Sequence, residues 1–194
     1  EVRSGCMLAI NPGTVTAPVS GIATREPAFG LEALWISPQD RERAQIAGYT
    51  VVDGGTVIIT HLTEVIRRNA HELLGRQEVQ QLLDAVAKTR PKVVEELVPQ
   101  QLTVGGVQKV LQGLLREGVS VRDLPTILET LADHAPRTKD ADSLTEHARQ
   151  ALGRAITKRL EGPDGTLALV TLSAVTERHL LEAIHRGDDG ATLA

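Results

Sequence analysis

The 194-residue sequence carries 21 basic and 25 acidic side chains, and its formal net charge of −4 argues against a protein whose main ligand is nucleic acid. The single cysteine excludes an internal disulfide and fits a reducing compartment. Hydrophobic residues make up 41% of the chain and aromatic residues 2%, and no apolar run reaches the ~18–20 residues of a membrane span.

The first 53 residues have the pattern of short strands separated by turns. Three apolar runs predict strands at residues 7–10, 34–36 and 49–52. The first run ends at the turn sequence Asn11-Pro12-Gly13. Between the last two, Ser37-Pro38 supplies an N-cap and a proline at the first helical position, and Gly48 ends the helix.

From Thr56 onward the apolar residues recur with the period of a helix. Five of them share one face of a helix predicted over 56–74, which are Ile59, Leu62, Ile66, Ala70 and Leu73. Prolines and glycines divide the following chain into predicted helices at 76–88, 91–98, 104–117, 122–134 and 143–160. A turn at 162–165 precedes a predicted strand at 167–172 and a helix at 174–185. This order of predicted strands and helices indicates a helix-rich α/β (α+β) fold, with a small β-containing unit, a helical unit and the start of a further α/β unit.

The few aromatic residues have different expected roles. Trp35 lies in an apolar run and Tyr49 opens a predicted strand, so we expect both in the core. Phe29 lies between a proline and a glycine, in a loop where a large ring is hard to bury. Spacing alone leaves two interpretations open, an anchor of its loop on the core or a docking residue beside the acidic Glu26.

No group of residues in the sequence predicts catalysis or a metal site. His61 and His71 lie ten positions apart on one predicted helix, so they do not share a face, and an ion pair with Glu64 is the expected role of His61. The Gly-Gly pairs lack a following Lys-Ser/Thr, and no Gly-x-Ser-x-Gly motif occurs. We therefore predict a protein that is not an enzyme and has no cofactor and no metal. A hydrolase or metalloenzyme stays open as a third possibility.

The helices between 76 and 134 are short and closely joined, which also suits a helical DNA-binding transcriptional regulator. The negative net charge disfavours that alternative. Residues 111–116 are mainly apolar where a recognition helix should present Arg, Asn or Gln to bases. The basic pair Arg67-Arg68 is interpreted as part of a solvated helix face.

Six sequence blocks, in this order, carry a resemblance to a known family. They are Ala9-Ile10-Asn11-Pro12-Gly13, Glu26-Pro27-Ala28-Phe29-Gly30-Leu31 with Trp35-Ile36, Gly48-Tyr49-Thr50-Val51-Val52, Thr60-His61-Leu62, Leu74-Gly75-Arg76-Gln77-Glu78, and Val121-Arg122-Asp123-Leu124-Pro125-Thr126-Ile127-Leu128-Glu129. Together they resemble the cytoplasmic region of the flagellar type III export-gate family, over essentially the whole chain. Export-gate homologues of virulence secretion share that fold.

The resemblance implies a docking platform for protein export, without catalysis. It receives export chaperones with their cargo and hands substrates to the membrane export gate, and its partners include other export-gate and ATPase-complex proteins. The full protein would sit in the bacterial inner membrane through an N-terminal half, with a cytoplasmic half that forms a ring of about nine subunits. The present chain would lie on the cytoplasmic side.

The resemblance also implies a division into subdomains. Residues 1–53 would be the small β-rich second subdomain, 54–74 a helix returning to a mostly absent first subdomain, 75–152 the helical third, and 153–194 part of the fourth. We therefore expect a piece of a longer polypeptide. The apolar face of the helix at 56–74 would lack its normal cover, and we expect it to self-associate or to shift its packing.

In the resembled family a shallow hydrophobic hollow between the first two subdomains receives the chaperone. Its residues carry over to Glu26, Phe29 and Thr60 of this sequence. The family often has Asp where this chain has Glu26, which keeps the charge and lengthens the side chain by one methylene. We expect Phe29 to present apolar area worth roughly 1.5–3 kcal/mol when covered. We expect Glu26 to pair with a Lys or Arg of the partner.

Overall fold

The computed structural model describes residues 2–187 and 190–193, and the chain divides after Ala151 into two compact units. The first unit contains a four-stranded sheet and the larger set of helices, and the second contains helices and a two-stranded antiparallel sheet. The predicted helix-rich α/β (α+β) class is confirmed. The finer division into four subdomains stays a prediction.

The sheet of the first unit is antiparallel, with a central strand that carries the core. Its strands are β1 (Met7–Ile10), β2 (Ile22–Arg25), β3 (Glu32–Ile36) and β4 (Thr50–Asp53), in the spatial order β2-β3-β1-β4. Within β1, Leu8 lies opposite Trp35 on β3 and Val52 on β4. The sequence predicted β1, β3 and β4 but missed β2, because this edge strand is mostly exposed and offers one large apolar residue, Ile22.

The two faces of this sheet are covered by different elements. On one face Leu8 and Trp35 form a core cluster with Val57 of the following helix. On the other face Ala9 packs with Ile36 and with the helix that links β3 to β4. Trp35 is 6% exposed, so its predicted core position is confirmed, and Tyr49 is half-buried against the second cluster.

The helix between β3 and β4 has the ends that the sequence predicted. A 3-10 turn (Pro38–Asp40) leads into α1 (Arg41–Ile46), and the hydroxyl of Ser37 accepts a hydrogen bond from the amide of Gln39 at 3.3 Å. Gly48 adopts a φ of +96°, which an L side chain rarely adopts. The chain therefore turns directly from α1 into β4.

Helix α2 (Gly54–Arg68) is shorter than the helix predicted over 56–74. It begins at the Asp53 cap, whose carboxylate accepts from the amide of Thr56 at 2.7 Å, and it ends at Asn69, before the short α3 (Ala70–Leu73). His61 and His71 consequently lie on different helices. The expected ion pair of His61 with Glu64 is wrong, because Glu64 pairs with Arg67 at 3.2 Å and Arg68 at 2.8 Å.

Five further helices of the first unit pack around a core of aliphatic side chains. They are α4 (Arg76–Ala87), α5 (Pro91–Leu97), α6 (Val104–Arg116), α7 (Leu124–His134) and α8 (Ala141–Ala151). Fully buried members of the core include Leu83, Leu97, Leu111, Leu114, Ile127, Leu128, Leu131 and Leu144. The apolar part of residues 111–116 is thus core, as leucines on the buried face of an amphipathic helix should be.

The second unit corrects three predictions. The helix predicted over 143–160 is interrupted at Leu152, which leaves α8 and a separate α9 (Gly153–Leu160). The strand predicted over 167–172 does not form, because no described strand pairs with it. Helix α10 (Ala174–Ala183) ends before an antiparallel pair, β5 (Ile184–Gly187) and β6 (Gly190–Leu193). No helix in the described part of the chain is both long and apolar enough to cross a membrane.

Helix α2 exposes a row of aliphatic side chains, here called the α2 strip. It consists of Ile58, Ile59, Leu62, Val65 and Ile66, which are between 41% and 67% exposed. Nearby, Val2, Pro27 and His61 line a groove of about 450 Å³ with Ile58, Leu62 and Val65. This is the uncovered apolar face that the sequence analysis expects on this helix.

We expect the α2 strip to drive concentration-dependent self-association of the chain, because exposed apolar area of this kind lowers its free energy when covered. Sedimentation velocity across a wide concentration range measures it. Replacing both Ile59 and Leu62 by Glu should shift the distribution toward monomer. Ile46→Glu is the control, since Ile46 is 85% exposed on α1, away from the strip. Monomers at all concentrations would contradict the prediction.

The contact between α6 and α8 depends on a glycine. A Cβ at Gly113 would lie 2.8 Å from the Thr145 hydroxyl, and Thr145 is 7% exposed and donates to the Ala141 carbonyl at 2.7 Å. Gly113→Ala gains about 1 kcal/mol of helix propensity, but we expect the clash to dominate and to destabilise the fold by about 1–3 kcal/mol in urea unfolding. In a Thr145→Ala background the same substitution should lower the free energy of unfolding only slightly. A destabilisation that is equal in both backgrounds would contradict this explanation.

Candidate docking site

One shallow hollow is lined by Glu26, Phe29 and Thr60, the three candidate residues of the sequence. Glu26 and Phe29 come from the loop between β2 and β3, and Thr60 comes from α2. The rest of its wall consists of Ile10, Leu31, Val52, Thr56 and Val57. Its volume of about 80 Å³ is well below the ~300–1,000 Å³ of small-molecule pockets. The hollow is therefore suited to part of a protein surface rather than to a substrate.

The loop buries Ala28 and leaves Phe29 at the surface. Ala28 is 3% exposed, whereas Phe29 is 59% exposed. Ala28, and not Phe29, therefore anchors the loop on the core. The ring offers apolar area at the rim of the hollow, and more than half of the residue is left uncovered by the fold.

Glu26 is turned inward, and its carboxylate has a structural role within the loop. Its ion pair with a partner stays a prediction. The residue is 3% exposed, and its two carboxylate oxygens accept hydrogen bonds from the amides of Ala28 and Phe29, each at 2.7 Å. Its own backbone carbonyl accepts from the amide of Gly30 at 2.9 Å. The carboxylate therefore holds the turn that presents Phe29. A charged group buried in this way is tolerated because its oxygens are hydrogen-bonded.

A second contact ties the loop to α2 from the other side. The Arg68 guanidinium donates to the Ala28 carbonyl at 2.9 Å and to the Glu64 carboxylate at 2.8 Å. Contrary to what its sequence context predicts, Arg68 thus does not belong only to a solvated helix face. The spacing of Glu64 and Arg68, four residues apart on a helix, signals their mutual pairing, but no local pattern indicates the contact with Ala28.

The α2 side of the hollow carries two hydroxyl groups on an otherwise apolar wall. Thr56 and Thr60 lie one turn apart, and Thr60 is half-buried. The amide of Thr56 donates to Asp53, and this hydrogen bond holds the pKa of that carboxyl below its usual value. The start of α2 is thereby fixed against β4. The hollow offers apolar contact and hydroxyl hydrogen bonding, without an assembled acid–base pair.

Within residues 2–187 and 190–193, no three or more His, Cys, Asp or Glu side chains lie together in a way that could hold a metal ion. His134 and His147 do approach each other, but as stacked rings with centroids 3.8 Å apart. The described histidines thus give no support to the metalloenzyme possibility.

We expect Arg68→Ala to loosen the Phe29 loop without unfolding the chain, because it removes the hydrogen bond from α2 to the Ala28 carbonyl and leaves the buried core intact. Hydrogen exchange of the amides of Ala28 and Phe29 should become at least severalfold faster. Arg67→Ala is the matched control, since the guanidinium of Arg67 contacts Glu64 and makes no contact with the loop. Equal exchange in the two variants would argue against the clamp.

Comparison with known proteins identifies relatives of the whole chain. The FHIPEP family model matches residues 1–194. The chain is 51% identical to the flagellar biosynthesis protein FlhA of Escherichia coli strain K12 over 187 residues, which is 96% of this chain and 27% of that protein. The chain thus spans about a quarter of the length of this curated relative.

Solved structures agree with this similarity. Nonameric EPEC SctV-C, determined by cryo-EM, matches with a TM-score of 0.73 and 28% identity, over 100% of this chain and 59% of that one. The Chlamydia pneumoniae CdsV and CdsO complex matches with a TM-score of 0.71 and 27% identity, over 83% of this chain and 47% of that one.

Proposed function

The chain belongs to the FHIPEP family, and from that premise we propose that it is part of the cytoplasmic docking platform of the flagellar type III protein export apparatus. In this role it receives export chaperone–substrate complexes, which are then handed to the membrane export gate. The proposal assigns no catalytic step to the chain. The full protein is placed in the bacterial inner membrane, with this part on the cytoplasmic side.

The exposed ring of Phe29 beside a preformed hollow is the observation that supports docking. The Glu26 carboxylate and the Arg68 guanidinium hold the loop before any partner arrives. A pre-organised loop loses little conformational entropy on binding, so more of the contact energy appears as affinity. Covering the 59% of Phe29 that is exposed is worth roughly 1–2 kcal/mol, which suits a contact that must form and release repeatedly.

The chemistry of the hollow narrows what the chaperone must offer. Glu26 is 3% exposed and its side-chain oxygens already accept from two backbone amides, so a partner cation has little access to this carboxylate. We infer that the chaperone contributes an apolar side chain against Phe29 and a polar group toward the Thr60 hydroxyl. This combination is typical of the apolar face and border of an amphipathic helix.

The similar structures also support assembly and further partners. EPEC SctV-C is nonameric, and CdsV occurs in a complex with CdsO. We propose that the full protein forms a homo-oligomeric ring of about nine subunits and contacts other export-gate and ATPase-complex proteins. Those contacts would bring the hollows of several subunits close to the export channel.

Phe29→Ala tests the docking proposal. We expect the affinity for a flagellar export chaperone with bound cargo to fall at least tenfold, because the deleted ring would be covered in the complex. Isothermal titration calorimetry measures the affinity, and an unchanged circular dichroism spectrum is expected because the ring is 59% exposed.

Ile46→Ala is the control for loss of exposed apolar area, since Ile46 is 85% exposed on another face of the sheet unit. Its affinity should match that of the unaltered chain. Equal affinity of the Phe29→Ala variant and the unaltered chain would refute the proposed role of the ring.

A further inference from the structure

The helical part of the first unit carries an open groove that is unrelated to the Phe29 hollow. It has a volume of about 760 Å³ and is bounded by the start of α4, the exposed face of α6 and the start of α8. The charged side chains along it are Arg76, Lys109, Arg116, Lys139, Asp140 and Asp142. Cations thus outnumber carboxylates in a chain whose net charge is −4.

Three of the four cations have no internal partner. Arg76, Lys109 and Arg116 form no ion pair or side-chain hydrogen bond with any described residue. Ion pairs do form elsewhere on the helical part, as between Arg90 and Glu129 and between Arg149 and Glu117. No described carboxylate pairs with Arg76, Lys109 or Arg116, so these three cations are available to an external acid.

The two carboxylates of the groove offset only part of the charge of its four cations. Asp140 accepts from the amide of Ser143 at 2.8 Å at the start of α8, and this hydrogen bond lowers the pKa of Asp140. Asp142 lies in the first turn of α8, where the helix dipole favours a negative side chain. Lys139 donates to the carbonyl and side-chain oxygens of Gln101 at 2.6 and 3.1 Å, and both of these acceptors are neutral.

The free cations are arranged in a line along α6. The Arg76 guanidinium lies 3.4 Å from the point where a Cβ of Gly105 would be, so it occupies the space that this glycine leaves open. Lys109 follows one turn later and Arg116 two turns after that. With a rise of about 1.5 Å per residue, the three positions extend over roughly 16 Å. Carboxylates at positions i, i+4 and i+11 of a facing helix have the same spacing.

We propose that this groove is a second docking site, which binds an acidic helical segment of a partner protein through Arg76, Lys109 and Arg116. Nucleic acid fits less well, because its phosphates are continuous along each strand and cannot avoid Asp140 and Asp142. A helix can place its carboxylates opposite the cations and neutral residues opposite the two aspartates.

The test uses a labelled alanine-based helical peptide with glutamates at i, i+4 and i+11, and a second peptide with glutamines at these positions. In fluorescence anisotropy at low salt we expect the glutamate peptide to bind at least tenfold more tightly. The double substitution Lys109→Glu and Arg116→Glu should abolish that difference. The control pair Lys88→Glu and Arg122→Glu changes the net charge by the same amount outside the groove, so the difference between the two peptides should remain. Phe29→Ala, which alters only the hollow, should also leave that difference unchanged.

Three results would overturn the proposal. Equal loss of peptide binding in the groove and control pairs would show a response to total charge alone. Tighter binding of duplex DNA than of the glutamate peptide would indicate a nucleic-acid surface. Loss of self-association in the groove variant, with no peptide binding by the unaltered chain, would show that the occupant is a second copy of this chain.

Discussion

The buried carboxylate of Glu26 makes the geometry around Phe29 rigid. An ionised carboxylate that loses water must recover hydrogen bonds inside the protein or become very unfavourable. Glu26 recovers them from two consecutive amides, those of Ala28 and Phe29. A rearrangement of the loop backbone that moves either amide away would leave a buried charge unsatisfied. The backbone that carries the ring of Phe29 is thus fixed by the hydrogen bonds that satisfy the acid.

Helix α2 extends this constraint from the loop to the sheet. Its first turn is capped by Asp53 at the end of β4, and Val57 packs against Leu8 and Trp35. Its last residue, Arg68, returns to the Ala28 carbonyl. The hollow lies between these attachments, so its width is set by a helix held at both ends. Such a surface changes little when a partner binds, which favours specific recognition with moderate affinity.

Local patterns in the sequence predicted the parts of the fold that depend on local physics. Prolines, glycines and the spacing of leucines located α4 to α7 within a few residues, because these features act within one or two helical turns. Edge strand β2 and the interruption at Leu152 were missed, since pairing and packing with distant residues decide them. The exposed position of Phe29 at the hollow agrees with what the resemblance implied. The inward turn of Glu26 and the contact of Arg68 with Ala28 were not predicted, because each is a three-dimensional contact with no sequence signature.

The two proposed sites, the hollow and the groove, would bind their partners by different physical interactions. The proposed contact at Phe29 would depend on covering apolar area and only weakly on salt. Contact at Lys109 and Arg116 would depend on charge, with faster association and strong screening by ions. A partner that engages both sites through a flexible connection gains effective concentration for the second contact after the first has formed. Two weak contacts of different kinds would then hold a complex firmly while each one alone still releases readily.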